Sequence, residues 1–247
     1  MKRKKMKNKS YIGISFIILI FGIYAVPKIY NRVSNDDVVR DRRNEVEPVK
    51  EIKKSSNLVK FNKVPTYQFL NQDSITIGNE FFKGKVHVVE FFFTTCPTIC
   101  PIMNKNMKEI EQAFIKDDDF GIASFTIQPG HDTPSVLKTY MNSYDIKMKN
   151  WQMLTGDGGQ IMELANKGFN IYAAMDDKAP GGFEHSGLFA LVDKNGFIRS
   201  RKDEYGNPIL CYRGIAQETK DEEGKVIDVL PHQLTELKED IVKLLKE

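Results

Sequence analysis

The sequence predicts an α/β fold, a central mixed β-sheet flanked by helices, and three observations predict it. Two apolar runs, Val86–Phe93 with Glu90 as its only charge and Gly121–Ile127, have the composition of strands buried on both faces. The stretch between them carries Met103, Met107, Ile110 and Phe114 on one helical stripe, which suits a crossover helix joining parallel strands. Further on, Gly187–Val192 and Phe197–Ile198 flank the turn Asp193-Lys-Asn-Gly196, a hairpin that adds antiparallel strands.

The 247 residues carry a net charge of +3 that hides an asymmetry. Residues 1–63 hold 16 Lys/Arg against 6 Asp/Glu, +10; the remaining residues hold 20 against 27, −7, and the two balances return the +3. A basic arm on an acidic domain argues against nucleic acid as a partner of the domain. The arm opens with a basic n-region, residues 1–10, followed by an uncharged, mostly apolar stretch that ends at Pro27-Lys28. Residues 11–27 are expected to form an uncleaved signal anchor, with a cleaved signal peptide as the alternative, because the stretch is shorter than the usual ~20-residue span. The expectation is therefore a protein of the inner (cytoplasmic) membrane with its domain on the extracytoplasmic, periplasmic side. Residues 28–60, polar and without a sustained period, read as a tether, and residues 61–247 as the domain.

Within the domain, Val64–Leu70 alternates, Asn71-Gln-Asp-Ser74 turns the chain, and Ile75–Ile77 returns as a strand. The strand Val86–Phe93 stops at Thr94-Thr95, and a helical pattern follows from Pro101, with Cys100 expected as its cap. Gln128-Pro-Gly130 ends the second buried strand. Asp132-Thr133-Pro134 has a cap and a proline in the order that starts a helix through Leu137 and Tyr140. Trp151–Leu154 reads as a short strand, Gly156-Asp157 precedes a helix through Ile161 and Leu164, and Asn170–Met175 is extended. Residues 176–184, with Pro180-Gly-Gly182, read as a loop, and a final amphipathic helix is expected from Leu230 or Pro231 to Leu245.

Three cysteines are too few for a disulfide framework, so chemistry is the better reading for them. Cys96 and Cys100 sit where the first core strand hands over to a helix, a favoured place for a site in an α/β fold. Near a helix N-terminus the unpaired N–H groups and the dipole favour thiolate over thiol. Two such thiolates bind a soft metal or close into a disulfide, and the spacing alone does not choose. It is one residue wider than C-x-x-C, which leaves a disulfide feasible if the β-carbons approach to about 3.8 Å. A cysteine pair after the first core strand of this element order is the layout of a thioredoxin-like fold. His185, in Phe183-Glu-His-Ser-Gly187 at the mouth of the following strand, faces the same end of the sheet if that strand neighbours the first. Two thiolates and an imidazole suit Cu(I), whereas Zn(II) normally takes a fourth ligand. His87, His131, His232 and Cys211 default to structural or solvated positions, and Met103 and Met107 to the core.

The chain resembles the Sco/SenC family of copper-binding, thioredoxin-like assembly proteins over roughly residues 60–200. Four stretches carry the resemblance: the C-P-x-x-C-P box from Phe91 to Met103, Ser124–Pro134 with Val136–Tyr140, Trp151–Gly156, and Glu184–Asp193. The resemblance implies that Cys96, Cys100 and His185 bind copper, as Cu(I) and in some states Cu(II). It also implies a membrane-tethered metallochaperone whose partner is the copper-site subunit of a haem-copper oxidase. A thiol reductant or another copper carrier would complete the set of partners. The competing function is a thiol–disulfide oxidoreductase using Cys96 and Cys100 as a redox-active pair. The chain departs from the family at Gln128, where an acid is common, and at His131.

Overall fold

The structure, a computed structural model, describes residues 15–17, 19–24, 26–27, 58–221 and 223–247. The chain divides into two units, Met1–Lys53 and Lys54–Glu247. In the first, the described residues are helical, and Phe16, Ile17, Leu19, Ile20 and Phe21 expose their side chains. Among the described residues no helix is long and apolar enough to cross a membrane. The n-region 1–10, part of the stretch 11–27 and nearly all of the tether lie outside the described residues.

In the second unit the strands are β1 Val59–Lys63, β2 Gln68–Asn71, β3 Thr76–Gly78, β4 Val86–Phe92, β5 Phe120–Thr126, β6 Trp151–Thr155, β7 Ala173–Met175 and β8 Phe183–His185. They continue with β9 Leu188–Val192, β10 Phe197–Ser200, β11 Tyr212–Arg213, β12 Gln217–Lys220 and β13 Val226–Leu230. The helices are α1 Cys100–Phe114, α2 Pro134–Ser143, α3 Gly158–Glu163, which runs on into a π-turn over Leu164–Gly168, and α4 Leu234–Lys246. The main sheet has the order β1-β10-β9-β4-β5-β6-β2-β3, with β11 also on β9. Only β4–β5 and β5–β6 are parallel, so the sheet is mixed as expected.

β4 and β5 are buried along all seven residues each, which is why they read as continuous apolar runs rather than alternating ones. Neighbouring residues of a strand point to opposite faces, and the helices divide accordingly. Phe92 stacks on Tyr140 of α2, whose hydroxyl meets Asn104 of α1, so these two helices cover one face. Phe91 meets Phe125 and, beyond the π-turn, Phe169, on the other. The stripe of α1 is core as expected, with Met103, Met107, Ile110 and Phe114 all buried.

Several boundaries differ from the sequence reading, each for a local reason. β1 begins inside the stretch read as tether, because it lies partly exposed at the sheet edge and its one alternating pair, Val59 and Phe61, is too short to show a period. Cys100 is the first helical residue and Ile99 precedes it, so Pro101 stands second; either position tolerates a missing N–H. Within Asp132-Thr133-Pro134, where a helix start is expected, Thr133 is the residue that caps α2, its side chain accepting from the Val136 N–H. The hairpin β12–β13 carries no strand expectation, since both its strands are largely solvated and its apolar residues, Val226, Ile227, Val229 and Leu230, are exposed.

The face of β4 toward α1 and α2 holds one acid. Glu90 is fully buried; one carboxylate oxygen accepts from Ser124 Oγ at 2.7 Å, Ser124 Oγ in turn accepts from Trp151 Nε1 at 2.9 Å, and the other oxygen has no partner. Burial pushes its carboxyl up to about 7, against a partial opposing effect of the Ser124 bond. On the other face His87 stacks on Phe82 at 4.4 Å, and burial pulls its imidazole down to about 4. The raised acid costs stability above its unfolded value, so stability falls as pH rises from about 4.5 to about 7. The depressed His87 acts oppositely, losing stability as pH falls from 6.5 toward about 4. Glu90→Gln is expected to add on the order of 1–3 kcal/mol at pH 8 and almost nothing near pH 4.5, measured by denaturant titration at both pH values.

Candidate metal centre

The chain leaves β4 at Phe92 and enters α1 at Cys100, so residues 93–99 form a short loop at the carboxyl end of a buried strand. Inside it the Cys96 N–H donates to the Phe93 carbonyl at 3.3 Å, closing a turn. Cys96 Sγ lies 3.6 Å from Thr98 Oγ1. Cys100 Sγ lies 3.2 Å from His185 Nε2, a contact between residues 85 apart in the chain. One ligand atom from each of Cys96, Cys100 and His185 lies within 4.8 Å of the other two, and all three residues are buried.

His185 reaches this point on an element that differs from the expected one. It closes β8, which pairs with β7 in a two-stranded sheet apart from the main one, Ala173 opposite His185. The strand that follows, β9, begins three residues later and pairs with β4 as expected. A loop reading of residue 184 missed β8 because three residues are too short to show a period. Gly187 makes the step between the two strands with φ +65, and an added Cβ would also lie 3.0 Å from Ile215. The His185 ring stands edge-on to Phe93 at 5.9 Å, and Phe93 packs against Phe183 at 5.5 Å. At Gly181 a Cβ would come within 2.7 Å of the Phe93 ring, so the loop before β8 lies directly on this aromatic wall. His185 Nδ1 is buried without a protein partner, which leaves packing and the Nε2 contact to hold the ring.

The two sulfurs are electrostatically unequal. The Cys100 thiol donates toward Cys96 and pulls the Cys96 thiol down to about 3, with further help from His185 and against the effect of burial. Cys100 is pushed up, first by the same bond, then by burial and the nearby Glu90. Of the two sulfurs, Cys96 is therefore the one favoured as thiolate, the nucleophilic form. A cleft of about 360 Å³ opens over Cys96, Ile99, Phe183 and His185, with Asp176, Lys178 and Glu184 among its other lining residues.

The remaining candidates stand elsewhere. His87 is at the opposite end of β4, and His232 is exposed. Cys211 is half-buried, donates to the Phe169 carbonyl at 3.7 Å and is pushed up to about 12 by burial. The Phe93–Phe183 wall was not visible in the sequence, since aromatic residues are ordinary core. Glu90 was visible, as the one charge in a buried strand.

A thioredoxin-like domain with two cysteines and a histidine gathered at one end of its sheet is the class that fold and site define. The family model described as SCO1/SenC matches residues 56–220, and the chain belongs to that family. An SCO1 protein homolog of Bacillus subtilis is 33% identical over 162 residues, which cover 64% of this chain and 81% of that one. Two solved structures are each 26% identical. A SCO1/SenC family lipoprotein of Bacillus anthracis has a TM-score of 0.59 and covers 75% of this chain and 97% of its own. BsSco, described with a disulfide switch as a member of the Sco family of cytochrome c oxidase assembly proteins, has a TM-score of 0.56 and covers 76% and 95%. Yeast Sco1, solved with copper bound, shares the fold at 18% identity and a TM-score of 0.51, covering 76% and 90%.

Cys96 is expected to react with iodoacetamide at pH 5 nearly as fast as at pH 8, while Cys100 and Cys211 stay unmodified at pH 5. Cys100→Ala, which removes the donating thiol, should slow the pH 5 reaction at least ~10-fold, read by peptide mass mapping.

Proposed function

We propose that the protein is a copper chaperone that carries copper as cargo on Cys96, Cys100 and His185 and assists metallation of the binuclear copper site of cytochrome c oxidase. The observation that carries the reading is the meeting of three donor atoms within 4.8 Å of one another. The donor set fits the ion: thiolate and imidazole are soft to borderline, and the cluster contains no carboxylate that would favour a hard cation. Three ligands suit Cu(I), whereas a structural Zn(II) site closes with four. The Cys100 bond pulls the Cys96 thiol down, which favours the thiolate form that a soft metal takes. Copper in the yeast relative and oxidase assembly in the description of BsSco support the cargo and its destination.

The same reading places the domain outside the inner membrane, held by residues 11–27 through the tether, with the copper-site subunit of a haem-copper oxidase as recipient and a copper carrier or thiol reductant upstream. The uncharged run after a basic n-region supports the anchor. Protease added to intact spheroplasts would then digest the domain, and protection of the domain would reverse the orientation.

A second reading, thiol–disulfide exchange, is favoured by the unequal sulfurs. The Cys96 thiolate attacks a partner disulfide and releases one partner thiolate. Cys100 then gives up its proton and attacks Cys96 Sγ, releasing the second, so that the pair loses the two electrons the partner gains. This route has no use for His185, which separates the readings.

Anaerobic titration of the full-length chain is expected to show one Cu(I) per chain with sulfur and nitrogen neighbours in X-ray absorption. His185→Ala and Cys96→Ser should each weaken binding by about 100-fold or more, beyond the loss usual for an outer-shell change. Copper affinity unchanged in His185→Ala, with mixed disulfides trapped in Cys100→Ser, would replace the chaperone by the oxidoreductase.

A further inference from the structure

The loop that carries Cys96 is tied down at its first residue by a carboxylate from another part of the chain. Asp132 is fully buried, and its N-cap role is taken by Thr133. Its Oδ2 accepts from the Thr94 N–H at 3.0 Å and from the hydroxyl of Thr126 at the end of β5. Its Oδ1 accepts from the Thr94 hydroxyl and lies 2.8 Å from His131 Nδ1. His131 is half-exposed and is the one ionisable side chain found against Asp132 among the described residues. Beside this knot the Thr95 hydroxyl donates to Gln128 Oε1 at 2.7 Å, and the Ile127 N–H donates to the Phe92 carbonyl at 2.8 Å. Two consecutive residues immediately before Cys96 are thus bonded, backbone and side chain, to the segment that follows β5.

A buried carboxylate is costly unless its oxygens are satisfied, and here each oxygen takes one bond from Thr94 of the cysteine loop. Movement of Thr94 would break both of these bonds, leaving Thr126 and His131 as the partners of the two oxygens. Among the described residues no comparable bond from a distant segment holds Cys96 from the other side, where the loop passes directly into α1.

We infer that Asp132 is a positioning residue for the copper cluster, holding the Thr94–Cys96 segment so that Cys96 Sγ stays within reach of Cys100 and His185. The inference deepens the copper reading and rests on it for one of its two readouts. Asp132 touches neither the cargo nor its ligands; it acts through Thr94.

The test uses the full-length chain as wild type, Asp132→Ala, Asp132→Asn and Leu137→Ala. Leu137 is fully buried in α2, behind the same segment but without a bond to the cysteine loop, so its variant reports loss of packing alone. Asp132→Asn keeps the shape and one acceptor oxygen, and it serves where Asp132→Ala does not fold. Cu(I) affinity, by competition with a chromophoric chelator, is expected to fall ~10–100-fold in Asp132→Ala and less in Asp132→Asn, as removal of an outer-shell partner does elsewhere. It should hold at the wild-type value in the folded fraction of Leu137→Ala. In copper-free protein the alkylation rate of Cys96 should rise in the same order, since the released loop exposes a sulfur that is now buried. Equal alkylation and equal affinity in the two Asp132 variants and wild type, or a loss in Leu137→Ala as large as theirs, would overturn the inference. A wild type that fails to bind Cu(I) would sink the copper reading instead, and the alkylation series would still decide for or against Asp132.

Discussion

The structure depends on the double pairing of one buried strand. β4 lies parallel to β5 and antiparallel to β9. Parallel pairing puts the carboxyl ends of β4 and β5 side by side, so the loop bearing Cys96 faces the segment bearing Asp132. Antiparallel pairing puts the start of β9 beside the end of β4, so the chain just before β9 arrives at the same place with His185. Three stretches distant in sequence converge because one strand has two neighbours of opposite sense, and ligands gather at such strand ends in open α/β sheets.

The convergence is held by different forces on its three sides. Backbone ladders fix β4 and β5, with the Ile127–Phe92 bond extending the register one step past the strands. Side-chain hydrogen bonds from Thr94 and Thr95 tie the cysteine loop to the segment after β5. The His185 ring is held by its Nε2 contact to Cys100 and by the Phe93 edge, and its backbone by β7–β8 pairing. A soft cargo ion suits such a site, since metal–thiolate bonds supply the orientation that the imidazole otherwise lacks.

Burial does two jobs around the cysteines. After the bond to Cys96 it is the second cause that pushes the Cys100 thiol up, and at Cys96, on the cleft wall, it opposes the ionisation that the Cys100 bond favours. The acid behind them, Glu90, is buried without full hydrogen bonding, an arrangement that lowers stability near neutral pH and adds negative potential beneath Cys100. Stability given up beneath a candidate site is a common sign that the residue serves something besides folding.

The order of strands and helices was legible in the sequence because the central strands are buried on both faces and the helices carry regular stripes. The cysteine pair, and His185 with its approximate place, were legible for the same reason: Pro97, Pro101 and the run Val86–Phe93 mark a strand-to-helix junction on local grounds. Local grounds fail at the edges. β1, β8 and the β12–β13 hairpin are short or solvated, so no period distinguishes them from loop. Asp132-Thr133-Pro134 supplies two residues that could cap the helix, and nothing local says which one turns outward to the helix and which inward to Thr94. Sequence by itself determined which residues carry the chemistry, since side-chain type and helix-end position are local properties. Only the tertiary structure decided that they meet, that one sulfur is the favoured thiolate, and that a carboxylate from the next strand's loop holds them there, because each of these depends on pairing between segments that sequence order keeps apart.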